Sequence, residues 1–291
     1  MTSIEALNEG INHQDGFFEG ANGVKTYHQC WLPETEPTAV LLIVHGLAEH
    51  SGRYIHIVNH FVPLGYAVYT LDHFGHGRSE GTRSFVEQFE DYTQPLKTYY
   101  DMVCEAQPSK PIVLVGHSMG GLISSRYLLD HQADFVGAVL SGPAIKVPNH
   151  PSKFLIFIIN IVSILFPKLG VRQLESDVDC SDPNVTAARA IDPLSYQGKV
   201  TARLGSEINK ASLHVQAHAG NITLPLLILQ GGADATVEPA GTQLLYDTAG
   251  SSDKTLKVYE GYYHEVFNEP ELRRNIVLND MQTWLEAHLE S

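Results

Sequence analysis

The sequence predicts an α/β fold, a mostly parallel central sheet flanked by helices and interrupted once by an inserted helical cap (lid). Three observations lead there. Short runs rich in Val, Ile and Leu recur along the chain, each bounded by Gly, Asp or Pro and followed by a longer stretch of helical spacing. These runs are apolar without alternation, as strands are when both faces of a parallel sheet are covered by helices. The rhythm lapses only between about Ile145 and Ala217, so 1–291 reads as a single domain with 145–217 as its cap.

In chain order the strands are expected at Ala39 to His45 (AVLLIVH), Ala67 to Leu71 (AVYTL) and Pro111 to Val115 (PIVLV). They continue at Val136 to Leu140 (VGAVL), Leu224 to Leu229 (LPLLIL) and Leu256 to Tyr259 (LKVY). Within the lapse, Lys153 and Lys168 flank Phe154 to Phe166, thirteen residues whose only polar members are Asn160 and Ser163. As a helix they cover ~20 Å, short of the ~30 Å hydrocarbon core, so they do not span a membrane. Two roles stay open at this point, a buried helix or a cap helix whose apolar face covers a site or touches lipid. Beyond it, Asp182-Pro183 and Asp192-Pro193 mark turns between short helices.

Composition excludes several functions. With 19 Lys and Arg against 33 Asp and Glu, the formal net charge is −14. Phosphate binding draws on clustered cations, so no nucleic-acid partner is expected. The three cysteines, Cys30, Cys104 and Cys180, are widely spaced and lack a C-x-x-C pair, which reads as free thiols in a reducing compartment. Met1 to Gly10 is polar and has no apolar signal region, so the expected location is cytoplasmic, with peripheral contact at a membrane through the cap. Oligomeric state is not legible.

The chemistry begins at Gly116-His117-Ser118-Met119-Gly120, directly after one strand candidate and before a helical stretch. A nucleophilic serine must project from a tight strand-to-helix turn, where crowding leaves no room for a Cβ two residues to either side. Its hydroxyl needs a base, and the base needs a third group to fix its tautomer. Past the penultimate strand lies Gly231-Gly232-Ala233-Asp234, and past the last lies Tyr262-Tyr263-His264. Ser118, Asp234 and His264 thus form the candidate triad, in the order an α/β-hydrolase requires. Asp72, Asp182 and Asp192 are weaker candidates, the first preceding the nucleophile and the others lying in the cap. The oxyanion donors are expected to be the backbone N–H groups of Met119 and of Leu47, which follows the strand ending at His45-Gly46. His45 reads as a loop-shaping donor, and Glu49, His50 and Arg53 as a buried polar network holding that loop.

His56/His60 and His214/His218 have the i,i+4 spacing of zinc ligands but no third ligand nearby, so no metal is expected. With no Walker or dinucleotide fingerprint, no cofactor is expected either.

These residues carry a resemblance. His45-Gly46-Leu47-Ala48-Glu49-His50-Ser51-Gly52-Arg53-Tyr54, Leu71-Asp72-His73-Phe74-Gly75-His76-Gly77-Arg78-Ser79 and Gly116-His117-Ser118-Met119-Gly120-Gly121 resemble three signature blocks of the monoacylglycerol lipases and related lysophospholipases. Gly232-Ala233-Asp234 and His264-Glu265 extend it, so that it spans about Phe17 to Leu285. The resemblance implies an α/β-hydrolase that splits a fatty-acid monoester of glycerol beneath a mobile cap with an apolar rim. A lysophospholipase or general carboxylesterase keeps the chemistry with another substrate, and a non-catalytic lipid-binding member of the fold is the distant alternative.

Overall fold

The computed structural model describes residues 6–146, 153–174 and 179–289, with 153–157 described by backbone alone. Its strands are β1 (Asn12–Glu19), β2 (Lys25–Leu32), β3 (Ala39–Val44), β4 (Tyr66–Leu71), β5 (Ile112–His117), β6 (Gly137–Ser141), β7 (Gly170–Gln173), β8 (Lys199–Thr201), β9 (Leu226–Gly231) and β10 (Lys254–Tyr259). The helices are α1 (Ile55–Phe61), α2 (Glu90–Ala106), α3 (Met119–His131), α4 (Lys153–Leu165), α5 (Pro183–Ile191), α6 (Ala202–His218), α7 (Pro239–Thr248) and α8 (Glu271–Leu289).

Among the described residues the main sheet has eight strands in the order β1-β2-β4-β3-β5-β6-β9-β10. From β4 to β10 neighbouring strands run parallel, and β2 is antiparallel to both its neighbours. All six strands expected from the sequence are present, within two residues at each end. The β1–β2 hairpin was not expected. Its outer strand reads NHQDGFFE and is largely exposed, so it lacks the unbroken apolar run that marks the interior strands.

Every residue of β3 is buried, and its side chains divide by parity. Val40, Leu42 and Val44 enter one core layer with α3 residues such as Leu122 and Ile123, whereas Leu41 and Ile43 enter the other with α1 and α8. Burying each such side chain contributes about 1.5–3 kcal/mol. The two layers clamp the sheet so that its carboxyl edge is a rigid rim. Register matters there: Val44 pairs with Gly116, so the loop after β3 and the turn after β5 leave the sheet side by side.

The stretch 145–217 contains α4, the antiparallel β7–β8 pair, α5 and α6. Residues 147–152 and 175–178, the side chains of Phe154 to Phe157, and Met1 to Glu5 lie outside the description. The helix α4 packs on α6, with Ser206 Oγ bonded to Asn160 Oδ1 at 2.9 Å. In turn α6 packs on α3, and its Leu204, Ala211 and Val215 belong to the sheet's own core. The stretch therefore ends in a helix shared with the sheet domain. Among the described residues, no helix is long and apolar enough to cross a membrane.

Candidate active site

Ser118 stands between β5 and α3 with φ +55° and ψ −119°. A non-glycine residue held there is strained by about 1–3 kcal/mol, and surrounding structure must enforce it. The enforcement is visible. The Ser118 N–H donates to the Ser141 carbonyl at 2.9 Å, tying the turn to the end of β6. A Cβ on Gly120 would sit 2.0 Å from the Val44 carbonyl oxygen, and one on Gly116 2.5 Å from Ser124 Oγ. The glycines are thus required by close backbone approach, and Ser118 is left half-buried at the N-terminus of α3.

Asp234 follows β9 through Gly231-Gly232, and its loop is fastened to the loop after β10 by the Ala233 N–H, which donates to the Tyr262 carbonyl at 2.9 Å. One carboxylate oxygen accepts from the N–H groups of Thr236 and Val237, both at 2.9 Å. The other accepts from Gln230 Nε2 at 2.9 Å and from His264 Nδ1 at 2.7 Å. Burial alone pushes this carboxyl up, but the histidine and the converging donors hold it below its ordinary range. His264 is shifted the other way. Burial disfavours its cation, yet the bond to Asp234 and the nearby Asp179 and Glu265 carboxylates raise it above the usual imidazole value.

With Nδ1 committed to Asp234, His264 Nε2 is buried and has no hydrogen-bond partner among the described groups. The imidazole packs against the turn after β6: a Cβ on Gly142 would lie 3.1 Å from its Cε1 and Nδ1. That turn is the one whose Ser141 holds the Ser118 N–H, so Ser118 and His264 share one anchorage. His117, beside the serine, lies 4.7 Å from the His264 ring, centroid to centroid.

The weaker acid candidates have other work. Asp72 accepts from the N–H groups of Ser51 and Arg78, Asp182 caps α5 through the Asn184 N–H, and Asp192 bonds His50.

The loop after β3 lies against the nucleophile, since a Cβ on Gly46 would be 3.1 Å from Ser118 Cβ. Leu47 follows on this loop and Met119 opens α3, the positions expected of the oxyanion donors. Two devices shape the loop. His45 Nε2 accepts the His73 N–H at 2.9 Å, so its proton sits on Nδ1 and is donated to the Gly46 carbonyl at 2.7 Å. Glu49 Oε1 accepts from the Gly46 N–H at 2.6 Å and from the Tyr54 hydroxyl at 2.9 Å. Arg53 donates to Glu49 at 3.1 Å and, bidentately, to Glu265 at 2.7 Å on both arms.

The expected network is therefore present for Glu49 and Arg53, and His50 stands outside it while still bracing the loop, its Nδ1 accepting from the Gly52 N–H at 3.1 Å. His50 turns instead to the cap, where Nε2 meets Asp192 Oδ2 at 2.7 Å, while the Tyr196 N–H donates to the Ala48 carbonyl at 3.0 Å. Sequence reasoning gave no role to Gln230, Thr236, Asp179 and Arg189. Gln230 and Thr236 lie within four residues of Asp234 but carry no recognisable motif, and the partners that tie Thr236 to Asp179 and Arg189 to Glu265 are 57 and 76 residues away.

Among the described residues no group of three or more His, Cys, Asp or Glu is arranged to hold a metal ion. His60 bonds Gln282, and the His214 and His218 rings stack on each other at 4.3 Å. Cys30, Cys104 and Cys180 are free, and burial pushes the Cys30 thiol up to about 11 and Cys180 up to about 12, so neither is poised to react.

On the cap, Ile158, Ile161, Ile164, Leu165 and Phe166 of and just after α4 are exposed, as are Leu169 and Val171 of the following hairpin. Ile164 is 68% exposed and Phe166 63%, far beyond a helix that only fills a core. Ser163 of the same helix is fully buried, so α4 divides its faces between core and surface.

Comparison with known proteins shows the family and the fold. The family described as serine aminopeptidase, S33, matches residues 35–271. A monoacylglycerol lipase of Mycolicibacterium smegmatis is 37% identical over 272 residues, 94% of this chain and 96% of that protein. Rat monoglyceride lipase is 32% identical over 270 residues, 92% of this chain and 89% of its own. Among solved structures, the Paleococcus ferrophilus monoacylglycerol lipase has a TM-score of 0.79 at 27% identity, covering 95% of this chain and 99% of that one.

Proposed function

Because this chain belongs to the serine aminopeptidase S33 family of α/β-hydrolases, we propose that it cleaves the ester of a monoacylglycerol to fatty acid and glycerol with a Ser118-His264-Asp234 triad. That it is a lipase-type carboxylic ester hydrolase rests on its monoacylglycerol and monoglyceride lipase relatives. The observation that carries the finer reading is the buried Asp234–His264 pair, with its unpartnered Nε2 anchored on the same turn as the strained Ser118.

In the proposed reaction His264 Nε2 takes the Ser118 hydroxyl proton as Oγ attacks the ester carbonyl carbon. Asp234 keeps the imidazole in the tautomer whose Nε2 is free, and stabilises the imidazolium that forms. The tetrahedral oxyanion is held by the N–H groups of Leu47 and Met119, aided by the positive end of α3. The C–O bond to glycerol breaks as His264 returns the proton to the departing oxygen, leaving an acyl-Ser118. Water, deprotonated by the same imidazole, releases the fatty acid. The exposed apolar face of α4 and its following hairpin supports delivery of the acyl chain from a lipid surface.

The test is a substrate panel of monoacylglycerol, a lysophospholipid and a short p-nitrophenyl ester, run with fluorophosphonate labelling. Monoacylglycerol is expected to give the highest kcat/KM, with the label on Ser118. Preference for the lysophospholipid or the short ester would make it a lysophospholipase or a general carboxylesterase. Absence of both label and turnover would leave a non-catalytic lipid-binding role.

A further inference from the structure

Arg189 is buried in the last turn of α5, where its Nη1 donates to Asp179 Oδ2 and, at 3.3 Å, to Glu265 Oε1. Both acceptors are built into the frame of the site. The N–H of Glu265, next to His264, donates to the Asp179 carbonyl at 2.7 Å. Asp179 Oδ1 accepts from Thr236 Oγ1 at 2.5 Å, and the Thr236 N–H donates to Asp234 Oδ1 at 2.9 Å. A continuous line of hydrogen bonds therefore runs from a cap helix to the acid that holds the imidazole.

We propose that Arg189 and Asp179 are positioning residues that latch the cap to the triad, Asp179 aligning Asp234 through Thr236 and Arg189 balancing the carboxylates beside the His264 imidazole. The proposal rests on the triad reading above. The groups facing that imidazole are Asp234, in contact, the His117 ring, and the Asp179 and Glu265 carboxylates. Arg53 also holds Glu265, sharing its Oε1 with Arg189, and pairs with Glu49 in turn. Against burial, Asp234, Asp179 and Glu265 each favour the imidazolium, and Arg189 offsets the last two.

The consequence has a sign. A base must be neutral to accept the Ser118 proton, so His264 sets the acidic limb of the kcat/KM profile. Removing the Arg189 cation leaves Asp179 without its ion pair and Glu265 with Arg53 alone, which stabilises the imidazolium and moves the limb to higher pH. Removing the Asp179 charge moves it to lower pH. A merely structural role moves neither, or moves both the same way.

The experiment is the pH dependence of kcat/KM on a short soluble ester for wild type, Arg189→Met, Asp179→Asn, Arg189→Lys and Ser118→Ala, with thermal unfolding of each. Arg189→Met is expected to raise the limb and Asp179→Asn to lower it, each by about half a unit to one unit, with Arg189→Lys close to wild type. Shifts in the same direction, or lower rates with no shift, overturn the latch. Should Arg189→Met yield no folded protein, the downward shift in Asp179→Asn decides alone. An inactive Ser118→Ala with an unmoved limb refutes only the latch, whereas an active Ser118→Ala refutes the triad beneath it.

Discussion

Ser118 at φ +55° illustrates how the smallest scale works here: strain at one residue persists because its neighbours leave no alternative. Gly120 is such a neighbour. Gly120→Ala drives a methyl group into the Val44 carbonyl, and it is expected to lower the thermal midpoint by several degrees and to cut activity together with stability. Asp234→Asn separates the two. The amide cannot accept the Nδ1 proton as the carboxylate does, so kcat is expected to fall by about three to four orders of magnitude while the unfolding temperature changes little by comparison. The proposed triad was legible because each member follows a strand end that hydrophobicity alone marks. Asp179 and Arg189 were not. Thr236 lies 57 residues from Asp179 and Glu265 76 from Arg189, so only the turns of the folded chain bring them together.

Elements differ in legibility for the same physical reason. The parallel strands β3 to β6 and β9 are recognisable because they lie buried on both faces, where every position selects for apolar side chains, and β10 at the far edge keeps enough of that run to be found. The edge strand β1 has one wet face and no such run, and β8 is only three residues long. The thirteen apolar-rich residues of the cap posed a sharper ambiguity, between a buried helix and an exposed one. In the fold α4 is both, with Ser163 buried and Ile161 and Ile164 outside. This gives the element its prediction. Replacing Ile161 and Ile164 by Ser is expected to weaken binding to phospholipid vesicles at least several-fold in a flotation assay, while leaving hydrolysis of a short soluble ester unchanged. Equal losses in both assays would mean that α4 serves the core alone.

Across the whole molecule, a formal charge of −14 argues against a nucleic-acid partner but not against a membrane, because the cap presents exposed apolar side chains. Burial also makes the protein acid-sensitive through its histidines. His45, His73, His76 and His117 are buried and held below the ordinary imidazole range, chiefly by desolvation. For groups lowered in this way the unfolded chain takes up protons first, so stability is lost as pH falls below about 6.5. His264 has the opposite sign, its raised value adding stability at lower pH, but it is outnumbered. Asp234 and Glu265, both lowered in the fold, add a second loss below about pH 4.5. The unfolding temperature is therefore expected to be level from pH 8 to 7 and to fall from pH 6.5 downward, as calorimetry in matched buffers can establish. A level midpoint down to pH 5 would contradict the histidine account.

These scales meet in one claim, that the turn after β5, the acid after β9 and the histidine after β10 form a single ester-cleaving site. Its most direct test is the steady-state turnover of a monoacylglycerol by wild type and by Ser118→Ala, each verified as folded. The account predicts rapid release of fatty acid by wild type and a loss of at least about three orders of magnitude in kcat for the variant. Near-normal turnover by Ser118→Ala, or none by wild type, would contradict it.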